Sequence, residues 1–260
     1  MEHTSLSAAR ITAALDERPS PYAAVQVHPR VASTNAVVRL DPQLWVPVVA
    51  DEQTGGRGRL GRGWSTPPGT AIAISVLVPA THRPAWLPLA AGLAVQRAVA
   101  DVTGLQAVLK WPNDVLLPTD EDRKVGGILC ELLPEGVVVG TGVNVAQTRE
   151  ELPVATATSL ALGGAPRVDR EHLLAAYLHH LADLHGRLSR GDAGVRDDYL
   201  VVCRTPGSDV DVHLPDGSHL LGRATGVDAQ GRLVVGGADG EHRVAAGDVV
   251  HVRPTRNPQE

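Results

Sequence analysis

The sequence contains no phenylalanine, one methionine and two cysteines among its 260 residues. The cysteines, Cys130 and Cys203, are too few for a disulfide framework or a four-cysteine zinc site. We therefore expect a reducing compartment and two small, buried cysteine side chains. The missing phenylalanine, beside many alanines, valines and arginines, indicates codon bias and carries no information about chemistry.

Long apolar segments are also missing. The uncharged stretch 65–82 is interrupted by three prolines and a glycine, which excludes a membrane-spanning helix there. The N-terminus lacks a basic region followed by an apolar one, so no secretory signal is predicted. These features predict a cytoplasmic protein with no membrane partner.

Positive charge is not in excess, because 24 Lys and Arg residues face 29 Asp and Glu residues and the net charge is −5. This balance disfavours general nucleic-acid binding through phosphate neutralisation. With 43% hydrophobic and 20% charged residues, a disordered chain is excluded. The length indicates one large domain, or a large domain with a small one.

The apolar periodicity predicts an α+β chain. Helices are predicted over 5–15, 86–102, 169–190 and 195–202, and strands over 25–28, 44–50, 71–78, 106–109, 115–117, 124–132 and 137–145. Short turns between the later strands favour antiparallel pairing. After residue 203, short apolar runs alternate with turn signals, which predicts a small barrel. The predicted domains are therefore 1–203 and 204–260.

A glycine- and arginine-rich run from Gly55 to Trp64 is the most unusual segment. It contains a G-x-G-x-x-G pattern, but the helix and the acidic residue of a dinucleotide-binding motif do not follow it. It also lacks the final Gly-Lys-Ser/Thr of a Walker A motif, so both nucleotide-binding motifs are excluded. Its glycines leave backbone N–H groups open to an anion, and its arginines add forked donors for carboxylate or phosphate. The alternative is a flexible, solvated basic loop.

Four further clusters have ordinary structural explanations when taken one at a time. Ser33-Thr34-Asn35 reads as a strand-to-helix junction, and Lys110-Trp111-Pro112-Asn113-Asp114 as a turn with a core tryptophan. Lys124, before two glycines, reads as an exposed lysine at a strand start. Gly140–Asn144 reads as a strand kink, although its glycines also permit close approach and its asparagine can pair with an adenine edge.

The histidines of the predicted helix 169–190 are not spaced one helical turn apart as paired metal ligands require. We therefore expect solvated surface side chains and no metal site at His172, His179, His180 and His185.

Taken together, the clusters resemble biotin protein ligase in order and spacing, over about residues 25–253. The matching residues are Ser33-Thr34-Asn35, Gln53, Gly56-Arg57-Gly58-Arg59-Leu60-Gly61-Arg62, Trp64, Lys110-Trp111-Pro112-Asn113-Asp114, Lys124, Gly127-Ile128-Leu129 and Gly140-Thr141-Gly142-Val143-Asn144. The resemblance is to a short form without an N-terminal DNA-binding domain. It implies an α+β catalytic domain around a mixed, largely antiparallel sheet, related to class II aminoacyl-tRNA synthetases, and a C-terminal SH3-like barrel.

The resemblance also implies two half-reactions. Biotin and Mg·ATP, with Mg²⁺ carried by the nucleotide, give biotinyl-5′-AMP, and a lysine of a biotin carboxyl carrier protein then takes the biotin. The implied biotin-binding residues are Ser33, Thr34, Asn35, Gln53, Arg57, Gly58, Arg59 and Lys124. The implied ATP-binding residues are Arg59, Arg62, Trp64, Asn113 and Asn144. The implied catalytic residues are Lys124, Arg57, Arg59 and Asp114.

Elementary electrostatics agrees with this assignment, because a reaction that joins two anions needs cations against their repulsion. Two alternatives remain at this stage. A lipoate or octanoate ligase or transferase shares the architecture, and a biotin-responsive transcriptional repressor would carry a winged helix. Only 32 residues precede Ser33, fewer than a winged helix of about 60 residues needs, so we expect no DNA binding. A monomer or weak homodimer is expected.

Overall fold

The computed structural model describes residues 5–214, 216–237, 239–245 and 248–251. The described residues form five α-helices: α1 (Ala8–Leu15), α2 (Thr34–Leu40), α3 (Leu87–Thr103), α4 (Arg170–Ser189) and α5 (Gly194–Val202). Their strands are β1 (Gln26–Val31), β2 (Val48–Arg57), β3 (Gly63–Thr66), β4 (Ala71–Val78), β5 (Val108–Lys110), β6 (Asp114–Leu117), β7 (Arg123–Leu133), β8 (Gly136–Asn144), β9 (Asp209–His213), β10 (His219–Val227), β11 (Leu233–Gly237), β12 (Gly240–Val244) and β13 (Asp248–His251). The predicted barrel residues 252–260 lie outside the described part.

The large sheet has the strand order β1-β2-β4-β8-β7-β6-β5, and β3 pairs with β2. Strands β1 and β2 are parallel, whereas the other described pairs of this sheet are antiparallel. The prediction of a mixed, largely antiparallel sheet is therefore confirmed.

The two faces of β4 carry side chains of different size, because successive side chains of a strand point to opposite faces. Ile72, Ile74, Val76 and Val78 join the main apolar core, to which α3 and α4 also contribute. The opposite face carries the small residues Ala71, Ala73 and Ser75, and α2 packs on this side. The face with small side chains leaves room for a ligand.

The N-terminal helix α1 is fastened to α4 by buried and half-buried polar contacts. Ser7 N donates to Glu171 Oε1 at 2.7 Å, and Leu6 N donates to Asp51 Oδ2 at 3.1 Å. The same Asp51 carboxylate is paired with the buried Arg170 at 2.9 Å. Because Ile11 also lies in the main core, α1 belongs to the helices that pack on the core face of the large sheet, opposite α2.

The C-terminal residues form a five-stranded antiparallel sheet in the order β12-β11-β10-β9-β13. Two buried indoles hold the β10–β11 turn of this sheet: Trp86 Nε1 donates to Ala229 O and Trp111 Nε1 to Gly231 O, each at 3.0 Å. The apolar core continues from the large sheet into this small one. The domain division between residues 203 and 204 stays a prediction.

Several sequence-based expectations need correction. The strand predicted over 44–50 begins only at Val48 and continues through Arg57, because Trp45 adopts a left-handed φ of 61°. Strand β12 had no strong apolar run and was not predicted. His185 is buried rather than solvated: its Nε2 lies 2.8 Å from Pro79 O, and its ring packs edge-on against Trp45.

Of the two cysteines that were predicted to be buried, one is buried and the other is not fully buried. Cys203 is buried as predicted, whereas Cys130 is only half-buried, although burial raises the pKa of its thiol to about 12. Among the helices of the described residues, none has the length and apolar character to span a membrane.

Candidate active site

Small residues of two adjacent strands make the floor of the candidate site. In the β4–β8 pair, Ala73 faces Gly142 and Ser75 faces Gly140. A Cβ atom on Gly140 would lie 2.1 Å from Asn35 Oδ1, and one on Gly142 would lie 2.4 Å from the Trp64 ring. Both glycines are therefore required by close approach of side chains from α2 and β3.

A hydrogen-bond network covers one end of this floor. Thr34 N donates to Gln53 Oε1 at 2.9 Å, and the Thr34 hydroxyl lies 3.2 Å from the same oxygen. Ser75 Oγ lies 2.6 Å from both Thr34 Oγ1 and Asn35 Oδ1. Since a hydroxyl has one proton and two lone pairs, Ser75 can donate to Asn35 and accept from Thr34 at once.

An ion pair fixes the asparagine of this network. Asn35 Nδ2 donates to Glu131 Oε1 at 2.7 Å, and Glu131 Oε2 pairs with Arg39 at 2.7 Å. Ser75 and Glu131 are not among the site residues predicted from the sequence. Their signal was available, because each is a polar residue inside an apolar strand of the predicted sheet.

Trp64 lies between this network and the cationic part of the site. Gln53 Nε2 donates to Trp64 O at 3.4 Å, and the ring lies over Gly142. Lys124 Nζ is 5.7 Å from the ring centroid. Within the described residues, the buried Trp64 Nε1 has no hydrogen-bond partner, so this donor is unsatisfied in the structure.

Lys124 and Asp114 form an ion pair with a separation of 2.5 Å between Nζ and Oδ1. Their side chains are 31% and 22% exposed, so both can reach a ligand. The pair comes from the β6–β7 hairpin, where Asp114 faces Gly127 and an irregularity follows Val115. A Cβ on Gly127 would lie 3.1 Å from Lys124 Nζ, which explains a small residue there.

The segment 110–114 positions Asp114 through buried contacts. The Trp111 side chain is in the core, as its ordinary structural explanation predicts, and its backbone N donates to Thr205 Oγ1 at 2.9 Å. Asn113 exchanges hydrogen bonds with Ile128: its Nδ2 donates to Ile128 O at 3.2 Å, and its O accepts from Ile128 N at 3.0 Å. Asn113 therefore stabilises the β6–β7 hairpin in this structure through these two hydrogen bonds.

Asn144 is buried, and both ends of its amide are engaged. Its Nδ2 donates to Thr158 O at 2.9 Å, and its Oδ1 accepts from Gln147 Nε2 at 3.0 Å. Thr158 N in turn donates to Lys124 O at 2.8 Å. The amide still has one N–H and one lone pair available, so its adenine-binding role stays a prediction.

The glycine-arginine run folds as a hairpin rather than an open loop. Strand β2 continues to Arg57, a 3-10 turn covers Arg59–Gly61, and β3 returns with Arg57 facing Gly63. Gly58 N donates to Arg62 O at 2.7 Å across the turn. The arginines thus sit on the hairpin that carries Gln53 and Trp64, and their anion-binding roles stay predictions.

Ser33 is the N-cap of α2, and its carbonyl oxygen accepts from Val37 N at 3.2 Å. It adjoins Thr34 and is half-buried. The 260 residues contain only two lysines, Lys110 and Lys124, and both belong to these clusters. The scarcity of lysine is a further sequence signal that points to these two positions.

The fold and the site define an enzyme class that is also found by comparison of sequences. The model of the biotin/lipoate A/B protein ligase family matches residues 27–147, and that of the biotin protein ligase C-terminal domain matches residues 207–252. A biotin–[acetyl-CoA-carboxylase] ligase of Mycobacterium tuberculosis is 39% identical over 80% of this chain and 79% of its own. The protein of the same name from Paracoccus denitrificans is 34% identical over 85% and 97%.

The comparison of structures agrees. A biotin protein ligase from Aquifex aeolicus, in complex with biotin and ATP, superposes with a TM-score of 0.78 and 26% identity, covering 90% of this chain and all of the other. The chain belongs to the biotin protein ligase family.

Proposed function

We propose that this protein activates biotin with ATP to biotinyl-5′-AMP and transfers biotin to a lysine of a biotin carboxyl carrier protein. The network formed by Thr34, Asn35, Gln53 and Ser75 is the observation that supports it best. The ureido ring of biotin offers two N–H donors and one carbonyl acceptor, and this network holds both donors and acceptors over a floor of small residues. The names of the relatives agree with the proposal.

In the first half-reaction, a biotin carboxylate oxygen attacks the α-phosphorus of ATP and pyrophosphate leaves. Two anions must approach each other, so positive charge lowers the barrier. Lys124 is proposed to supply it, and Arg57 and Arg59 on the neighbouring hairpin are proposed to close over the carboxylate and phosphate. Arg62, Trp64, Asn113 and Asn144 are proposed to bind or frame the nucleotide.

Mg²⁺ is proposed to arrive bound to ATP, as part of the substrate. The ion pair between Asp114 and Lys124 supports this proposal, because it offers no set of free carboxylate ligands for a resident Mg²⁺.

In the second half-reaction, the ε-amine of the carrier lysine attacks the carbonyl carbon of the mixed anhydride. The amide bond forms, the bond from the acyl carbon to the phosphate oxygen breaks, AMP leaves, and the amine loses a proton. The incoming amine must be neutral to attack. Asp114, half-buried at the site, is proposed to orient it and to stabilise the ammonium charge that develops.

Release of pyrophosphate from biotin and ATP, without a carrier, tests the first half-reaction. We expect release with biotin and none above background with lipoate or octanoate, whose chains offer no ureido ring. Release that is faster with lipoate or octanoate would replace the proposal with a ligase of that specificity. Mass spectrometry of a carrier domain then tests the transfer step.

The partner is proposed to be the carrier protein alone, in the cytoplasm, with the enzyme acting as a monomer or weak homodimer. Helix α1 is packed against α4 rather than presented as a DNA-reading element. We expect no specific binding to promoter DNA of biotin-synthesis genes, with or without biotin and ATP. A saturable, salt-resistant gel shift would overturn this expectation.

A further inference from the structure

The outer face of the C-terminal sheet carries three side chains that can bind one cation. Asp211 and His213 lie two positions apart on β9, so they share a face, and His219 on β10 faces His213 in the antiparallel register. Val210 and Val212 point into the core, which fixes the alternation. The strand pairing therefore gathers one carboxylate and two imidazoles at the surface.

The distances within this cluster match a small metal site. Asp211 Oδ2 lies 3.3 Å from His213 Nε2 and 3.3 Å from His219 Nδ1, and the three ligand atoms all lie within 4.8 Å of one another. A tetrahedral zinc site with bonds of about 2.0–2.1 Å separates its ligand atoms by roughly 3.3–3.5 Å. Two of the three separations already have this length.

The donor set selects the kind of ion. Imidazole suits zinc, copper and nickel, whereas magnesium and calcium prefer sites made of oxygen atoms alone. The imidazole rings are 4.2 Å apart with an angle of 41° between their planes, so a small rotation of one ring brings both nitrogens towards a shared ion. With His213 44% and His219 53% exposed, water has access to a further coordination position.

We propose that Asp211, His213 and His219 form a binding site for a divalent transition-metal ion of the zinc type on the C-terminal sheet. None of the three residues is among those assigned to the ligase reaction. Since the cluster has ligands on both strands, the ion would hold the end of β9 to the start of β10. An ion that binds only the folded state stabilises that state in proportion to its occupancy.

Calorimetric titration of the untagged, chelator-treated protein with ZnCl2 tests the site. We expect one Zn²⁺ per chain, and at least a tenfold loss of affinity in His213→Ala, His219→Ala and Asp211→Asn. Two matched controls should bind as the parent does: Asp209→Asn, on the same face of β9, and His172→Ala, an exposed histidine on α4.

Thermal unfolding provides a second readout. Added Zn²⁺ should raise the Tm of the parent and both controls, and should leave the Tm of His213→Ala nearly unchanged. The proposal is wrong if the parent binds no Zn²⁺, or if the three variants retain parental affinity.

Discussion

The ring of Trp64 lies so close over Gly142 that even a methyl group would not fit between them: a Cβ on Gly142 would be 2.4 Å from Trp64 Cε2. The ring can therefore approach the β8 backbone this closely only because residue 142 is glycine. This contact joins β8 to the glycine-arginine hairpin and fixes the position of the indole ring.

Gly142→Ala should displace Trp64 and raise the KM for ATP on the order of a hundredfold, because a shift of about 1 Å in a positioning group can cost this much. The KM for biotin should change much less. Gly226→Ala is a matched control, since a Cβ there meets nothing within 4 Å. Steady-state pyrophosphate release measures both constants, and equal effects on both substrates would contradict the assignment of Trp64 to the nucleotide.

Lys124→Ala should slow adenylate formation by roughly 100- to 1,000-fold, the usual cost of removing one group that stabilises transition-state charge. Single-turnover pyrophosphate release at saturating ATP measures the effect. Arg223→Ala removes an exposed cation from the C-terminal sheet and serves as the control. Parental release by Lys124→Ala would remove this residue from the mechanism.

Ser75→Ala should raise the KM for biotin by roughly 5- to 100-fold, because its loss leaves Asn35 Oδ1 without a donor in a buried position. Glu131→Gln should act in the same direction but more weakly, since the glutamine oxygen can still accept from Asn35. A KM for ATP that rises equally would indicate a general distortion of the sheet instead.

The features that the sequence predicted correctly are those that depend on residues close together along the chain. Local patterns predicted β4 over its observed bounds and the end of α3 near Gly104, which has the left-handed φ of 74° typical of a helix C-terminus. The motif residues Gln53, Trp64, Lys124 and Asp114 do lie together. Their roles stay predictions.

What the sequence did not reveal depends on contacts between distant segments. Glu131 acts through Asn35, 96 positions earlier, and Ser75 acts through Thr34 and Asn35. Their polar character is visible in the sequence, but their partners are not. The hairpin at 57–63 also depends on pairing between β2 and β3, which outweighs the low strand propensity of its glycines.

Arg59→Gly should shorten retention of the adenylate more than it slows its formation. Fixing the glycine-rich hairpin tip over a ligand costs about 1–2 kcal/mol per residue, and each charge-assisted hydrogen bond returns roughly 1.5–3 kcal/mol. These contributions are similar, so we expect residues 55–63 to be mobile without ligand and ordered with it. Adenylate dissociation and hydrolysis rates measure retention; unchanged rates would indicate a fixed anion site.

Stability should decrease on the acid side partly through His185. Burial lowers the pKa of His185 from its ordinary value of 6.5, and the hydrogen bond with Pro79 O offsets this only in part. Below pH 6.5 the unfolded state therefore binds more protons than the folded state, and the free energy of unfolding falls.

Urea unfolding at about pH 7.5 and about pH 5.5 tests this, because the interval spans the ordinary histidine pKa. The fall in unfolding free energy should be smaller in His185→Gln, which keeps a donor for Pro79 O but does not titrate. His172→Gln, on the exposed side of α4, should behave as the parent. An identical fall in all three proteins would show that His185 is not responsible.

The scarcity of lysine affects both self-biotinylation of the protein and its chemical labelling through amines. An activated acyl phosphate that escapes acylates amines without discrimination, and this chain offers only Lys110, Lys124 and its own amino terminus as targets. Its arginines carry positive charge without a nucleophilic nitrogen at neutral pH. We expect the protein to accumulate little biotin on itself during turnover. For the same reason, amine-directed dyes and resins should react at the two lysines of the catalytic clusters and inactivate the preparation. Labels belong on an added tag, because Cys203 is buried and burial raises the pKa of the Cys130 thiol.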